Sequence, residues 1–391
     1  MYDDYHDMEW LPEIPEGLEP LSPNAGGPGE PDDLVGRKVE LGRLHEAVRA
    51  GGAHVTGERR MGKTWLVKKL QYDLADTVTA IYVSAETKKL KLFSDRLLDA
   101  LRQNRIVGKK IKDWEMEIGG EITLNFGIAG LTLNAKATRH AGAAPKQLDV
   151  LDLLSSPKNG PVVLIIDEIT NLCKALGSEK AQEFLSGLRS RRQSGGPPLV
   201  ISGSIGLHHA LSDLQPINDL WMVEVGPLAT DEAVILAARL LLGIGVEPTP
   251  RLVAQIVRET SAIPFYIQAV VDQMRYHKDI DVEALVDECL TRNIWHTDHY
   301  DTRLDSYYGP QRVAHARAVL DIIAISDKPL DIDIISSTMT ARNPSLHLTR
   351  DEMLDLLDKL EKDHYLVREG DADRISSALL ARIWRRRRRL P

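Results

Sequence analysis

Only two cysteines, Cys173 and Cys289, occur in the 391 residues. That excludes a disulfide framework and a four-cysteine zinc site and fits a reducing compartment, with the Cys173 thiol read as buried. Aromatic side chains make up 5% of the chain, too few for a stacking platform along single-stranded nucleic acid. No apolar run approaches the roughly 18 residues that cross a bilayer, and the N-terminus lacks both the basic start and the apolar stretch of an export signal. These absences predict a cytoplasmic protein with no membrane partner. No internal repeat is present.

Basic charge is short as well: 49 Lys and Arg stand against 57 Asp and Glu, a net charge of -8. The surface is thus no general attractor for nucleic acid. Residues 1–33 hold ten acidic side chains and neither Lys nor Arg, interspersed with Pro and Gly, and read as a flexible acidic arm, disordered or loosely docked. The other end inverts this: Arg382 and Arg385 to Arg389 form a basic tail, either solvated or contacting phosphate or an acidic partner. The 43% hydrophobic and 27% charged content is that of globular protein, and the length predicts two to three domains.

The segment 37–49 has helical spacing and is stopped by Gly51-Gly52. A strand (AHVT), the loop GERRMGKT and the helix WLVKKLQYDLA follow. VTAIYVSAE at 78–86 is a second strand and KLFSDRLLDALRQNRI a second helix, and this alternation predicts a mostly parallel α/β sheet. From about 115 to 137, Met116, Ile118, Ile122, Leu124, Phe126 and Ile128 alternate around glycines, which predicts a β-hairpin insertion, either covering a sheet edge or meeting a partner. LDVLDLLSS at 148–156 reads as helix. PVVLIIDE at 161–168 reads as a central strand buried on both faces and PPLVISGS at 197–204 as the next strand.

Beyond Pro227 the strand signal fades. Four helices predict a lid at 228–293, a polar connector occupies 294–309, and three helices plus two short strands at 310–391 make a winged-helix pattern ending in the basic tail. The phosphate-loop domain accordingly spans 34–227.

Gly57-x-x-x-x-Gly62-Lys63-Thr64 lies between strand and helix, as phosphate binding demands. Across Gly57, Glu58, Arg59, Arg60, Met61, Gly62, Lys63, Thr64 and Trp65, backbone N–H groups turn inward on phosphate and the helix N-terminus adds its dipole. Lys63 reaches the β and γ phosphates, and the Thr64 hydroxyl is a Mg²⁺ ligand. Asp167, at the carboxyl end of its strand, holds Mg²⁺ directly or through water, and Glu168 orients or deprotonates the attacking water. Ser202 and Ser204 end the next strand where they would report the γ-phosphate, or serve as turn residues. Arg189, Arg191 and Arg192 are arginine-finger candidates for a neighbouring protomer, set against a solvated face. His296 and His299 with Asp298 and Asp301 have metal-like composition but lack the flanking pattern of a site.

GERRMGKT, LVGRKVELGRL at 34–44, IIDEI at 165–169, ISGSIG at 201–206, SAIPFYIQ at 261–268 and SSALLARIWRR at 376–386 together resemble the archaeal-type ATPase family. It lies within the STAND branch of AAA-like P-loop ATPases and is related to the origin-recognition and Cdc6 proteins. The resemblance covers about 34–386. It implies that Val35, Gly36 and Arg37 lie near the adenine and that Ile263 and Pro264 line the base from the lid, with Ser261-Ala262 where the family has a glycine pair.

The sequence thus predicts a slow ATPase with ATP and Mg²⁺ as ligands, acting as a nucleotide-driven switch. Two outputs remain. Self-assembly or a protein partner is favoured because the candidate recognition helix, TRDEMLDLLDKLEKD, is acidic; double-stranded DNA bound through the winged helix and arginine tail is the other.

Overall fold

The computed structural model describes residues 10–27, 29–87, 89–118, 122–125, 132–134, 146–156, 160–203, 206–211, 213–276 and 281–391. The chain divides into two compact units, Glu30–Val225 and a second built from Met1–Gly29 with Gly226–Pro391.

The first unit runs α1 (Lys38–Arg49), β1 (Gly52–Thr56), α2 (Lys63–Leu74), β2 (Thr79–Ser84), α3 (Leu90–Gln103), α4 (Val107–Ile118), β3 (Ile122–Asn125), β4 (Thr132–Asn134), β5 (Lys146–Asp149), α5 (Val150–Leu154), β6 (Val162–Asp167), α6 (Ile169–Leu176), α7 (Ser178–Gln193), β7 (Leu199–Ser202), α8 (Leu207–Ala210) and β8 (Trp221–Glu224). Five strands form one parallel sheet in the order β2-β6-β7-β1-β8. β6 is buried at all six positions, which is why its sequence is a continuous apolar run with no alternation. Leu164 and Ile166 pack with Ile81, Val83, Phe93, Leu97 and Phe184 in one core cluster. Val163 and Ile165, pointing the other way, are equally buried, so helices cover both faces of the sheet. The α/β expectation holds.

Three local readings change. The helix α4 takes in Met116 and Ile118, read from sequence as strand: the spacing Val107, Ile111, Trp114, Ile118 is helical, and strand alternation starts only at Ile122. β3 pairs antiparallel with β4 and parallel with β5, so Leu148 closes a three-stranded sheet and the helix begins at Val150. Phe126 and Ile128 of the expected hairpin lie outside the described residues. The edge strand β8 escaped notice because only Val223 of its four residues is buried, which leaves no pattern to read.

The second unit comprises α9 (Thr230–Gly243), α10 (Pro250–Glu259), α11 (Pro264–Met274), α12 (Val282–Thr291), α13 (His299–Tyr307), α14 (Pro310–Ala324), β9 (Leu330–Asp331), α15 (Ile332–Arg342), α16 (Arg350–Lys362), β10 (Leu366–Glu369), β11 (Ala372–Ile375) and α17 (Ala378–Arg388). A capping box between Thr349 and Glu352 starts α16, and β10-β11-β9 form a small antiparallel sheet. The connector carries a helix, α13, which anchors itself with buried Tyr300 and Leu304 one turn apart. Its Arg303 is also buried, donating to the Tyr365 hydroxyl at 2.5 Å.

Residues near both ends of the sequence are engaged within the second unit. The acidic arm is docked over residues 19–24. Leu21 N donates to Arg239 O and Arg239 Nε to Glu19 O, each at 2.9 Å, and Asn24 N donates to Gln268 Oε1 at 2.9 Å. A Cβ on Gly243 would lie 2.0 Å from Leu21 O, so this glycine admits the arm's backbone against α9. The basic tail is the helix α17, and four of its arginines, exposed as Arg386 to Arg388 are, meet carboxylates. Arg382 pairs with Glu259 and Asp287 at 2.7 Å, Arg386 with Asp287 at 2.8 Å, Arg387 with Asp298 and Asp301, and Arg388 with Asp321 at 2.9 Å.

Candidate nucleotide site

The segment between β1 and α2 is shaped by backbone conformation. Gly57 has φ +140, and a Cβ there would lie 2.2 Å from Val225 O; Gly62 has φ +88 and leads into the first turn of α2. Both values lie where a side chain is strained, so glycine is required to wrap the loop. Lys63 is buried, and its Nζ donates to Gly57 O at 2.9 Å and to Glu58 O at 2.7 Å. Its amine therefore closes the loop on itself. Burial lowers the Lys63 pKa to about 8, although the charges of Glu168, Asp167 and Glu58 oppose the drop. Met61 and Glu58 are buried, Arg59 is exposed, Trp65 half-buried, and Arg60 has φ 74.

The Asp167 side chain sits at the carboxyl edge of the sheet, where β1, β6 and β7 all end. Its Oδ2 accepts from Thr64 Oγ1 at 2.8 Å and from Tyr82 Oη at 3.0 Å; its Oδ1 accepts from Glu168 N at 3.0 Å and from Ser202 Oγ. Thr64 and Asp167, paired from sequence as metal ligands, are thus in direct contact. A hydroxyl and a carboxylate are hard oxygen donors, the chemistry that suits Mg²⁺ beside phosphates. Glu168 caps α6 in the left-handed region, φ 57. Its carboxyl pKa is raised, first by burial and then by Asp167, while Lys63 pulls it down. Such a group is a better proton acceptor than an ordinary glutamate.

Arg37 is buried at the start of α1, and its guanidinium donates to Met61 O at 3.0 Å and Glu40 at 2.8 Å. Arg37, which follows Val35 and Gly36, is in this way tied to the loop between β1 and α2. Ser202 faces Asp167; Ser204 lies outside the described residues. Pro264 begins α11 in the other unit, after Ser261 and Ala262, both in the left-handed region at φ 50 and 54. The three arginine-finger candidates are engaged within their own domain: Arg192 pairs with Asp219 at 2.5 Å, Arg191 with Asp149 at 2.9 Å and Asp152 at 2.7 Å, and Arg189 donates to Gln215 O at 2.5 Å. In the histidine-aspartate segment, Asp298 and Asp301 face Arg387, and Asp301 also faces Arg317 at 2.8 Å. Cys173 and Cys289 are buried, and burial raises their thiols to about 12 and about 11. Tyr82 was missed, since its role depends on β2 lying beside β6, which sequence does not announce.

A parallel sheet with a glycine loop and lysine after β1, and an Asp-Glu pair at the end of a strand two places away, defines a P-loop ATPase. Residues 48–211 match the sequence family described as AAA domain. Among solved structures, a Walker-type ATPase of Pyrococcus abyssi is similar in fold, with 18% identity, a TM-score of 0.64, and 90% of this chain and 97% of that one covered. The ORC2 protein of Aeropyrum pernix, solved as ADPNP-ADP complexes, aligns at 11% identity and a TM-score of 0.49 over 96% and 98% of the two chains. The RuvB Holliday junction branch migration motor of Thermotoga maritima aligns at 14% and 0.41 over 92% and 97%. The fold assignment rests on the first of these. No curated protein matches the chain. No helix among the described residues is long and apolar enough to cross a membrane.

Proposed function

We propose that the chain binds and slowly hydrolyses ATP and that the nucleotide state governs its assembly with itself or with a protein partner. The contact between Thr64 and Asp167, 2.8 Å across 103 residues of sequence, carries the reading, because it assembles both halves of a metal-nucleotide site. In this account Lys63 leaves its loop carbonyls for the β and γ phosphates, and the loop's N–H groups hold the phosphate chain. Thr64 and Asp167 are the Mg²⁺ ligands; the ion, when bound, neutralises charge on the phosphate oxygens. Glu168 orients the lytic water and accepts its proton, for which its raised affinity for protons suits it. Val35, Gly36 and Arg37 face the base side of the loop.

Residues 310–391 are read as a winged helix. Its α16 is acidic, and four of the tail's arginines already face carboxylates of the same unit, so a protein output is favoured over duplex DNA. The test is ATP affinity and phosphate release for the unaltered chain, Lys63→Ala and Glu168→Gln. Glu168→Gln should bind ATP normally and slow release about 10²-fold or more; Lys63→Ala should lose binding. Normal turnover in both variants would sink the proposal.

A further inference from the structure

The Asp167 carboxylate has about four lone-pair directions, and four donors fill them. Ser202 comes from β7, the Glu168 N–H from the following residue, Thr64 from α2 and Tyr82 from β2. Two donors hold each oxygen. Three of the four have a role in the site already; Tyr82 has none. Its strand register puts Tyr82 opposite Ile165, two residues before Asp167, so its phenol reaches forward along the sheet edge to the carboxylate. The side chain is half-buried, and the Lys68 ammonium lies 5.9 Å from the ring centroid.

Resting on the nucleotide reading above, we infer that Tyr82 is a positioning residue for the divalent metal: its hydroxyl fixes Oδ2 of Asp167 in the orientation from which that oxygen ligates the ion. When Thr64 serves as a ligand, its hydroxyl proton turns away from Oδ2. One lone pair of that oxygen then becomes open to the metal or to a metal-bound water. Tyr82 remains on the other, and among the described contacts it is the donor that still directs Oδ2, since Ser202 and the Glu168 N–H both act on Oδ1. Partners of this outer kind typically change metal affinity 10- to 100-fold when removed.

Tyr82→Phe removes the hydroxyl and keeps the ring, so packing is retained. The readout is binding of a non-hydrolysable ATP analogue, measured by calorimetry in EDTA and again across a Mg²⁺ series. Retention of the wild-type thermal midpoint shows that the variant is folded. The half-saturating Mg²⁺ concentration should rise about tenfold or more, with affinity in EDTA changed less than twofold. An unchanged Mg²⁺ requirement overturns the inference. So does an equal loss in EDTA, which would make Tyr82 a packing residue. Failure of the unaltered chain to bind the analogue at all would instead overturn the nucleotide reading itself.

Discussion

Ser202 and Asp167, neighbours across β7 and β6, are joined by a buried hydrogen bond, Ser202 Oγ donating to Oδ1. The aspartate is therefore a structural keystone, apart from the metal-binding role proposed for it. Asp167→Ala should strand the buried Ser202 hydroxyl and release Tyr82 and Thr64, destabilising the domain by about 2–4 kcal/mol. Urea unfolding of the free protein would measure it; an unchanged midpoint would mean the four donors find water instead.

Lys63 supplies a pH signature. Its folded pKa of about 8 lies below the ordinary 10.5 because burial disfavours the charge. The ammonium that would pair with phosphate thus dominates below pH 8 and is lost above it. Metal-free affinity for an ATP analogue should be level up to about pH 8 and then fall up to about tenfold per pH unit. Lys63→Arg, always charged, should flatten the profile where it binds. A level wild-type curve to pH 10 would show that the amine never deprotonates.

The turn before α11 holds two non-glycine residues in the left-handed region, but only one of them gains anything by it. Ser261 Oγ accepts from Leu379 N at 3.0 Å, capping the start of α17 beside Ser377. Ala262 has no such side-chain contact. Ala262→Gly should stabilise the unit by roughly 0.5–1 kcal/mol by relieving strain. Ser261→Gly gains the same relief and loses the cap, so its net effect should be near zero, whereas Ser261→Ala should cost about 1 kcal/mol. Thermal unfolding of the three variants gives the order; equal shifts for both glycine variants would show that the cap contributes nothing.

The arginines of α17 bear on partner choice. Because Arg382, Arg386, Arg387 and Arg388 face carboxylates, few of the tail's charges remain for phosphates, so duplex DNA binding should be weak at physiological salt. Any residual binding should have a shallow salt slope, about -1 to -2 in log-log form, rather than the -4 to -5 of five free arginines. A steep slope lost on Arg385→Ala and Arg389→Ala would restore the DNA output.

How much of this could be read in the sequence follows from the range of the forces involved. The loop Gly57–Thr64 and the strand Val162–Asp167 are legible because local spacing fixes local backbone, and the chemistry rides on it. Tyr82 is not legible, since its partner lies 85 residues away and the strand order decides the meeting. At both termini charge alone left the alternatives open. A run of arginines reads as solvated when its partners, Asp287 and Glu259, lie 95 and 123 residues earlier than Arg382. Polar residues concealed α13 for a related reason: buried Arg303 sits over the Tyr365 ring at 4.0 Å, a compensation no local window contains.

The second unit has one more property, visible in the order of synthesis. Its pieces are the first twenty-nine residues and everything after Val225, so the ATPase domain is made in between. A nascent chain can complete that domain while the arm before it still waits for α9 and α11. Glu259, Asp287, Asp298, Asp301 and Asp321 must wait longer, as their counter-charges lie from 67 to 123 residues further along the chain. The unit assembled from segments on either side of the ATPase domain is thus the later to become electrostatically complete, and the continuous domain between them can fold before it.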